Sequence, residues 1–381
     1  MEFRRDRLTW VAYVLLAWFA YLQAAPGLVI GHLRDELDLS YSVGGLHVAA
    51  FAAGAMVAGV IAARVDRALG RRALFWSAAA VMGAGAIGLT AGRIVEVTVG
   101  SVLVMGFGGG LLFVTIQAAL TEHHGERSAV AFAEANVAAS SAYVLLIGVL
   151  SLAAALSVGW KIAVLVSLVI PPLVWSTNRR LAIDAPAPSR VAQGRLPGVF
   201  WVAAAMIFCT TAVEWCITAW GATFVEDATD VSTDTAVALM VGFFGGVLAG
   251  RIVGSRLARR HDPARLLASA LAVTAVGFVI LWPSTAPAQA LAGLSLLGIG
   301  VGNLFPMGMS VTVALAPGRA ALASGRAVSV TSFAVLLAPL TVGGLADTTS
   351  LTAALGVVPV FLAFAAAGLA LVRRAQTRTR V

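Results

Sequence analysis

The chain has 381 residues, 60% of them hydrophobic and only 12% charged, with 26 Lys plus Arg against 18 Asp plus Glu. Soluble domains carry about 45–50% apolar and about 25% charged residues, so this composition excludes a soluble enzyme or a nucleic-acid-binding protein and defines an integral membrane protein. Twelve spans of about 20 residues with short connectors use up nearly the whole length, and two cysteines, Cys209 and Cys216, in one apolar run exclude a disulfide scaffold.

Apolar runs long enough to cross the bilayer predict helices near residues 8–31, 42–63, 73–92, 97–119, 129–151 and 160–176. A second set follows near 198–224, 233–256, 264–283, 287–312, 322–345 and 351–372. The first run, preceded by Arg4, Arg5 and Arg7, is too long for the apolar region of a signal peptide and reads as a retained helix. Every basic residue except Arg34, Arg93, Lys161 and Arg251 falls at the N-terminus, at the C-terminal tail or around the connectors after the even-numbered spans. By the positive-inside rule both termini are therefore expected in the cytoplasm, in a multi-pass protein of the cytoplasmic membrane. The organisation expected is all-α: a six-helix bundle over 1–176, a cytoplasmic linker over 177–197, a second six-helix bundle over 198–372 and a basic tail over 373–381.

A constant shift of 192 residues superimposes the halves at separated places. Gly106, Gly108, Gly110, Leu112 and Phe113 fall on Gly298, Gly300, Gly302, Leu304 and Phe305, while Arg64, Arg67 and Arg127 fall on Arg256, Arg259 and Arg319. With six spans each, the halves share one orientation and are related by a pseudo-twofold axis along the membrane normal, the plan of alternating-access transporters. The segment from Ala62 to Arg72 (Ala-Ala-Arg-Val-Asp-Arg-Ala-Leu-Gly-Arg-Arg) resembles the loop between the second and third helices of major facilitator superfamily transporters. It departs from that pattern at Ala62, where glycine is usual, and by one extra residue between Arg67 and Gly70. The resemblance implies the fold of that superfamily and a cytoplasmic gate to which Asp66, Arg67, Arg71 and Arg72 contribute.

Ionisable groups at membrane depth cost about 2.5–3.5 kcal/mol on insertion scales and are functional candidates. Four qualify: Glu134, Glu214, Arg251 and Arg326. Glu134 and Arg251 each lie about five residues from the cytoplasmic end of their spans, and in the family resembled the fifth helix packs on the eighth. An ion pair between them, with Arg326 beside the Asp66 loop, is the expected closure on that side; snorkelling to the aqueous boundary is the alternative. Glu214, about 24 Å from the cytoplasmic end at 1.5 Å per residue, stands about 15 Å above Arg251, too far to pair directly. A carboxylate at that depth, within Glu214-Trp215-Cys216-Ile217-Thr218-Ala219-Trp220, is the candidate proton-coupling group.

In the family resembled, the first, fourth, seventh and tenth helices line the central cavity. Here they offer Trp18, Tyr21, Gln23, Phe107, Phe113, Trp215, Trp220, Asn303 and Phe305, a mixture suited to a solute with an apolar face and a few hydrogen-bonding groups. The glycine runs lie inside spans and lack the strand a dinucleotide fingerprint requires, so they read as close helix packing. His123 and His124 with Glu122 and Glu126 read as a solvated turn rather than a metal site, and His32 and His47 as boundary residues. The expectation is a monomeric secondary transporter of a small organic solute, proton-coupled, with no cofactor and no nucleic-acid partner. Absence of the Gly-Pro antiporter signature between Ser141 and Gly148 lowers the case for drug efflux. Efflux of amphipathic compounds and a non-transporting sensor stay open as alternatives.

Overall fold

The structure, a computed structural model, describes residues 4–183 and 194–378, the side chains of Glu126, Ala321 and Arg378 excepted. The middle of the expected linker, with Arg190, and the last residues of the tail lie outside the described residues. Among the described residues every regular element is helical. The order is α1 (Arg7–Leu28), α2 (Ile30–Leu37), α3 (Tyr41–Leu69), α4 (Arg71–Ala91), α5 (Val95–His124), α6 (Ser128–Ala155), α7 (Trp160–Val166) and α8 (Ile170–Asn178). Then come α9 (Gly198–Thr229), α10 (Thr233–Leu239), α11 (Val241–Leu257), α12 (Pro263–Leu281), α13 (Pro287–Ala314), α14 (Ala320–Thr348), α15 (Leu351–Ala354) and α16 (Val357–Arg378). Twelve segments are long and apolar enough to span a bilayer; α7 with α8, α10 with α11, and α15 with α16 each form one of them. Lipid offers backbone groups no hydrogen bonds, so a helix that satisfies its own amides is the structure such runs must take.

Helix starts follow local chemistry. Asp6 caps α1 by accepting from the Thr9 amide at 3.0 Å, and Asp262 caps α12 ahead of Pro263 by accepting from Ala264 and Arg265. Proline at the first helical position loses nothing, because its missing N–H would have had no intrahelical partner. The sixth span departs from the single helix expected: a 3₁₀ turn at Ser167–Val169 divides α7 from α8, just ahead of Pro171 and Pro172, which can donate no backbone hydrogen bond.

The chain divides into two compact units, residues 1–39 with 46–189, and residues 40–45 with 190–381. In the first, α1 packs on α6 and α4 on α5; in the second, α9 packs on α14 and α12 on α13. The hexapeptide Ser40–Gly45, the opening of α3, is held with the second unit. The Asp347 carboxylate accepts from the Tyr41 and Ser42 amides at 2.7 and 2.9 Å, and the Tyr41 hydroxyl donates to Asp227 at 3.0 Å.

The duplication extends to helix ends. Helices α3, α4, α5 and α6 begin at residues 41, 71, 95 and 128, and their counterparts at 233, 263, 287 and 320, the same offset of 192 each time. It also fixes packing. A Cβ on Gly106 would lie 2.0 Å from the Phe51 carbonyl oxygen, and one on Gly298 would lie 2.2 Å from that of Phe243. The backbones touch there, so only glycine fits.

Candidate functional site

The second unit carries an ionisable pair at membrane depth. Glu214 lies deep within the unit, with its carboxylate surrounded by protein and part of the residue's surface left open. The Arg251 guanidinium is close enough to act electrostatically on it. An arginine carries its charge several ångströms from its Cα, so it acts on a carboxylate farther along the membrane normal than its backbone position suggests. On α13, Asn303 donates from Nδ2 to the Gly250 carbonyl at 2.8 Å, one residue from Arg251. A carboxylate, a guanidinium and an amide therefore come from α9, α11 and α13, with the half-buried Trp215 next to Glu214 in sequence. Trp220 is different: it is fully buried and spends its indole N–H on the Pro339 carbonyl at 3.0 Å. Phe305 is half-buried on α13.

In the first unit the residues expected around a solute divide the same way. Tyr21 is buried and donates to the Ala163 carbonyl at 2.6 Å. Gln23 accepts from the Tyr143 hydroxyl at 3.0 Å and is half-buried. Phe113 stacks on Phe19 with ring centroids 5.3 Å apart, and Phe107 keeps part of its surface open. Trp18 is 1% exposed, and its indole nitrogen has no hydrogen-bond partner among the described residues.

The charged groups expected at the gate take three forms. Arg71, with 5% of its side chain exposed, grips Asp66 with Nε and Nη2 at 2.7–3.1 Å and stands 3.7 Å from Glu122. Gly70, at φ +80°, makes the one-residue turn that aims them at each other. Arg67, Arg72 and Arg326 are exposed, and Arg251 is half-buried.

Glu134 accepts a two-pronged pair from Arg5, at 2.6 and 2.8 Å, and a hydrogen bond from the Tyr13 hydroxyl at 3.1 Å. Sequence reasoning missed these partners, having taken Arg4, Arg5 and Arg7 as topology charges alone. Beside them, His123 contacts Asp6 at 2.7 Å, and His124 contacts Thr9, which itself donates to Asp6. Burial pushes the Asp6 carboxyl up, but the Thr9 amide and hydroxyl and the His123 charge outweigh it and hold the group below its ordinary range. Arg7 donates to Asn178 at 2.6 Å and to the Thr177 carbonyl, fastening the start of α1 to the end of α8. His47 is buried and bonds Thr98 at 2.9 Å.

Twelve spans in two duplicated sets, with a carboxylate and an arginine among them, define a multi-pass membrane protein of the transporter class. The sequence model of the Major Facilitator Superfamily matches residues 9–238 and 203–381, and the chain belongs to that superfamily of membrane transporters. No curated protein matches the sequence. Among solved structures, the chain is similar to a bacterial homolog of the human lysosomal transporter Spinster in an inward-facing, occupied conformation, with TM-score 0.78, 14% identity and 98% of each chain covered. It is similar to a D-xylose–proton symporter, with TM-score 0.78, 14% identity and 96% of each chain covered. The nucleoside transporter NupG matches with TM-score 0.75 and 11% identity over 97% of this chain and 98% of that one. At such identities these likenesses establish the fold.

Proposed function

We propose that this protein is an alternating-access secondary transporter of a small organic solute, coupled to protons through Glu214, in a cytoplasmic membrane with both termini inside. The observation that carries the reading is the placement of Glu214: an ionisable carboxylate deep in a membrane span, on a residue that keeps part of its surface open, and within the field of the Arg251 charge. Such a group exchanges a proton when water reaches it and feels Arg251 more strongly once deprotonated, so protonation and local electrostatics are linked. Trp215, Asn303, Phe305, Gln23, Phe107 and Phe113, which keep open surface, are the side chains proposed to meet the solute. Trp18, Tyr21 and Trp220 are proposed to shape the site from behind. The gating role stays with Asp66, Arg67, Arg71, Arg72, Glu134, Arg251 and Arg326. Fold relatives that move D-xylose and nucleosides support a solute of that size.

The test is counterflow of radiolabelled sugars, nucleosides and amphipathic compounds in proteoliposomes, with and without a pH gradient. Proton-driven accumulation by the wild type, lost by a factor of about 100 or more in Glu214→Gln while counterflow without a gradient persists, supports the assignment; a factor of 100 corresponds to about 2.7 kcal/mol. Accumulation in Glu214→Gln that still follows the pH gradient removes it. Gradient-driven extrusion of amphipathic compounds would favour efflux, and no flux of any compound would favour a sensor.

A further inference from the structure

We propose that the groove between α12 and α16 is a binding site for an anionic phospholipid, with one acyl chain lying along the groove and the phosphate held by Arg373. The groove encloses about 530 Å³. Its walls are one stripe from each of two antiparallel helices, running from Ala268 to Val279 on α12 and from Pro359 to Arg373 on α16. The residues recur at helical spacing, and alanines at 268, 272 and 275 facing others at 363, 366 and 370 leave the floor low. Leu271, Phe278, Leu362 and Leu369 close the base.

Four observations select the occupant. Every side chain of the lining is apolar except Arg373, at one end, so the cleft offers no hydrogen bond to a sugar, a nucleoside or water along its length. The stripe on α12 runs from Ala268 to Val279, eleven rises of 1.5 Å or about 16 Å, against about 15 Å for one leaflet of a 30 Å hydrocarbon core. The surface flanking the groove is apolar and exposed, with Val279 68%, Phe364 65% and Val360 51% open, as a face turned to lipid must be. Arg373 terminates the groove on the arginine-rich side of the molecule, and no ion pair to it is found among the described residues. It is exposed and directly follows Val372, the last residue of the apolar run of α16. A basic group between spans at headgroup depth is the feature that recognises anionic lipid. A zwitterionic lipid would fill the same groove without gaining from the charge.

Arg374 is the internal control. It carries the same charge at the same depth but is not part of the groove wall. The experiment measures retention of phosphatidylglycerol against phosphatidylcholine by the purified full chain, using native mass spectrometry and thermal stabilisation in detergent. Wild type should prefer phosphatidylglycerol about five-fold, the effect of one basic residue near the headgroups. Arg373→Gln should abolish the preference and still retain either lipid, whereas Arg374→Gln should keep it. Ala366→Phe, or Ala370→Phe if the first does not fold, should lose retention of both. Equal retention of the two lipids by wild type, equal losses in Arg373→Gln and Arg374→Gln, retention by the groove-filled variant, or equal stabilisation by inorganic phosphate alone would each overturn the site.

Discussion

The two units share their packing almost residue for residue and differ in nearly every charge at membrane depth. Gly106 meets the Phe51 carbonyl as Gly298 meets that of Phe243, and Gly108 meets the backbone of Met82 as Gly300 meets that of Thr274. Asp38 and Asp230 both close a helix in the left-handed region at φ 51°, and Ser40 and Ser232 each accept an amide three residues on, at 3.3 Å in both cases. Yet the counterparts of Glu214, Arg251 and Asn303 are Leu22, Gly59 and Leu111, those of Asp66 and Arg71 are Ala258 and Pro263, and that of Glu134 is Arg326. Contacts that define the helix bundle tolerate no change and are kept twice. Ionisable groups are expensive in a membrane, and the two halves do not carry the same ones.

The sharpest way to break this comparison is to add one methyl group to each half. Gly106→Ala and Gly298→Ala drive a Cβ into a backbone oxygen that cannot rotate away, so the helices must separate. Each should cost about 3 kcal/mol, at the upper end for overpacking, and by the same amount within error. Thermal midpoints of the two purified variants check it; a tolerated substitution in one half alone would end the claim of an equivalent skeleton.

Arg71→Gln probes a feature of one half only. It leaves Asp66, with 18% of its side chain exposed, without its main partner in a place where Arg71 itself is buried. Losing one member of a buried pair costs about 3–5 kcal/mol; partial exposure of Asp66 reduces the expectation to about 2 kcal/mol. Arg71→Lys should recover less than half, because an ammonium cannot make the two-pronged contact. Full stability of Arg71→Gln would reduce this loop to a topology signal.

Glu134 and Arg326 occupy equivalent positions with opposite charge and unequal attachment. Glu134→Gln removes the hold on Arg5, itself 52% exposed, and weakens the Tyr13 bond, for a loss of about 0.5–1 kcal/mol. Protease cleavage after Arg4 or Arg5 should become faster in that variant, since Glu134 anchors the segment ahead of α1. Arg326→Gln, at an exposed position, should change stability by less than about 0.5 kcal/mol.

Much of this was legible in the sequence because membrane crossing imposes a strong, local signal: runs of sufficient length, basic flanks and glycines at a fixed offset. The repeated Asp-x-Ser at 38–40 and 230–232 was an unused signal of the same kind. What escaped depended on reach in three dimensions. Arg5 and Glu134 are 129 residues apart, and no local pattern announces that pair. Of the aromatic groups, sequence supplied the spans but not the facing. Trp215 and Trp220 sit on one helix, and only the carbonyl of Pro339 explains why the second is fully committed.

The mildest contrast lies at the end away from the arginine-rich loops. In the first unit Glu36 on α2 accepts from Lys161 Nζ at 2.6 Å and from the Trp160 indole at 2.8 Å. The counterparts of Trp160 and Lys161 are Thr352 and Ala353, and the second unit ties this region with a neutral bond from the Trp282 indole to the Thr352 carbonyl at 2.8 Å. Only the first tie can titrate. Burial raises the Glu36 carboxyl, but hydrogen bonds from Lys161 and Trp160 and the ammonium charge outweigh it, so the folded group sits below its ordinary value. A depressed carboxylate contributes stability in full above the unfolded value, about 4.3, and loses it as pH falls through the folded one. Both partners are 40% exposed, so the contribution at neutral pH is below about 1 kcal/mol and shrinks further in salt. Glu36→Gln should therefore lower the thermal midpoint slightly at pH 7, and the gap from wild type should close as the medium is acidified below pH 4. Other carboxylates titrate alike in both proteins and cancel in the difference. A gap that stays constant with pH would mean that Glu36 acts through packing and the neutral indole bond, making the two ends equivalent after all.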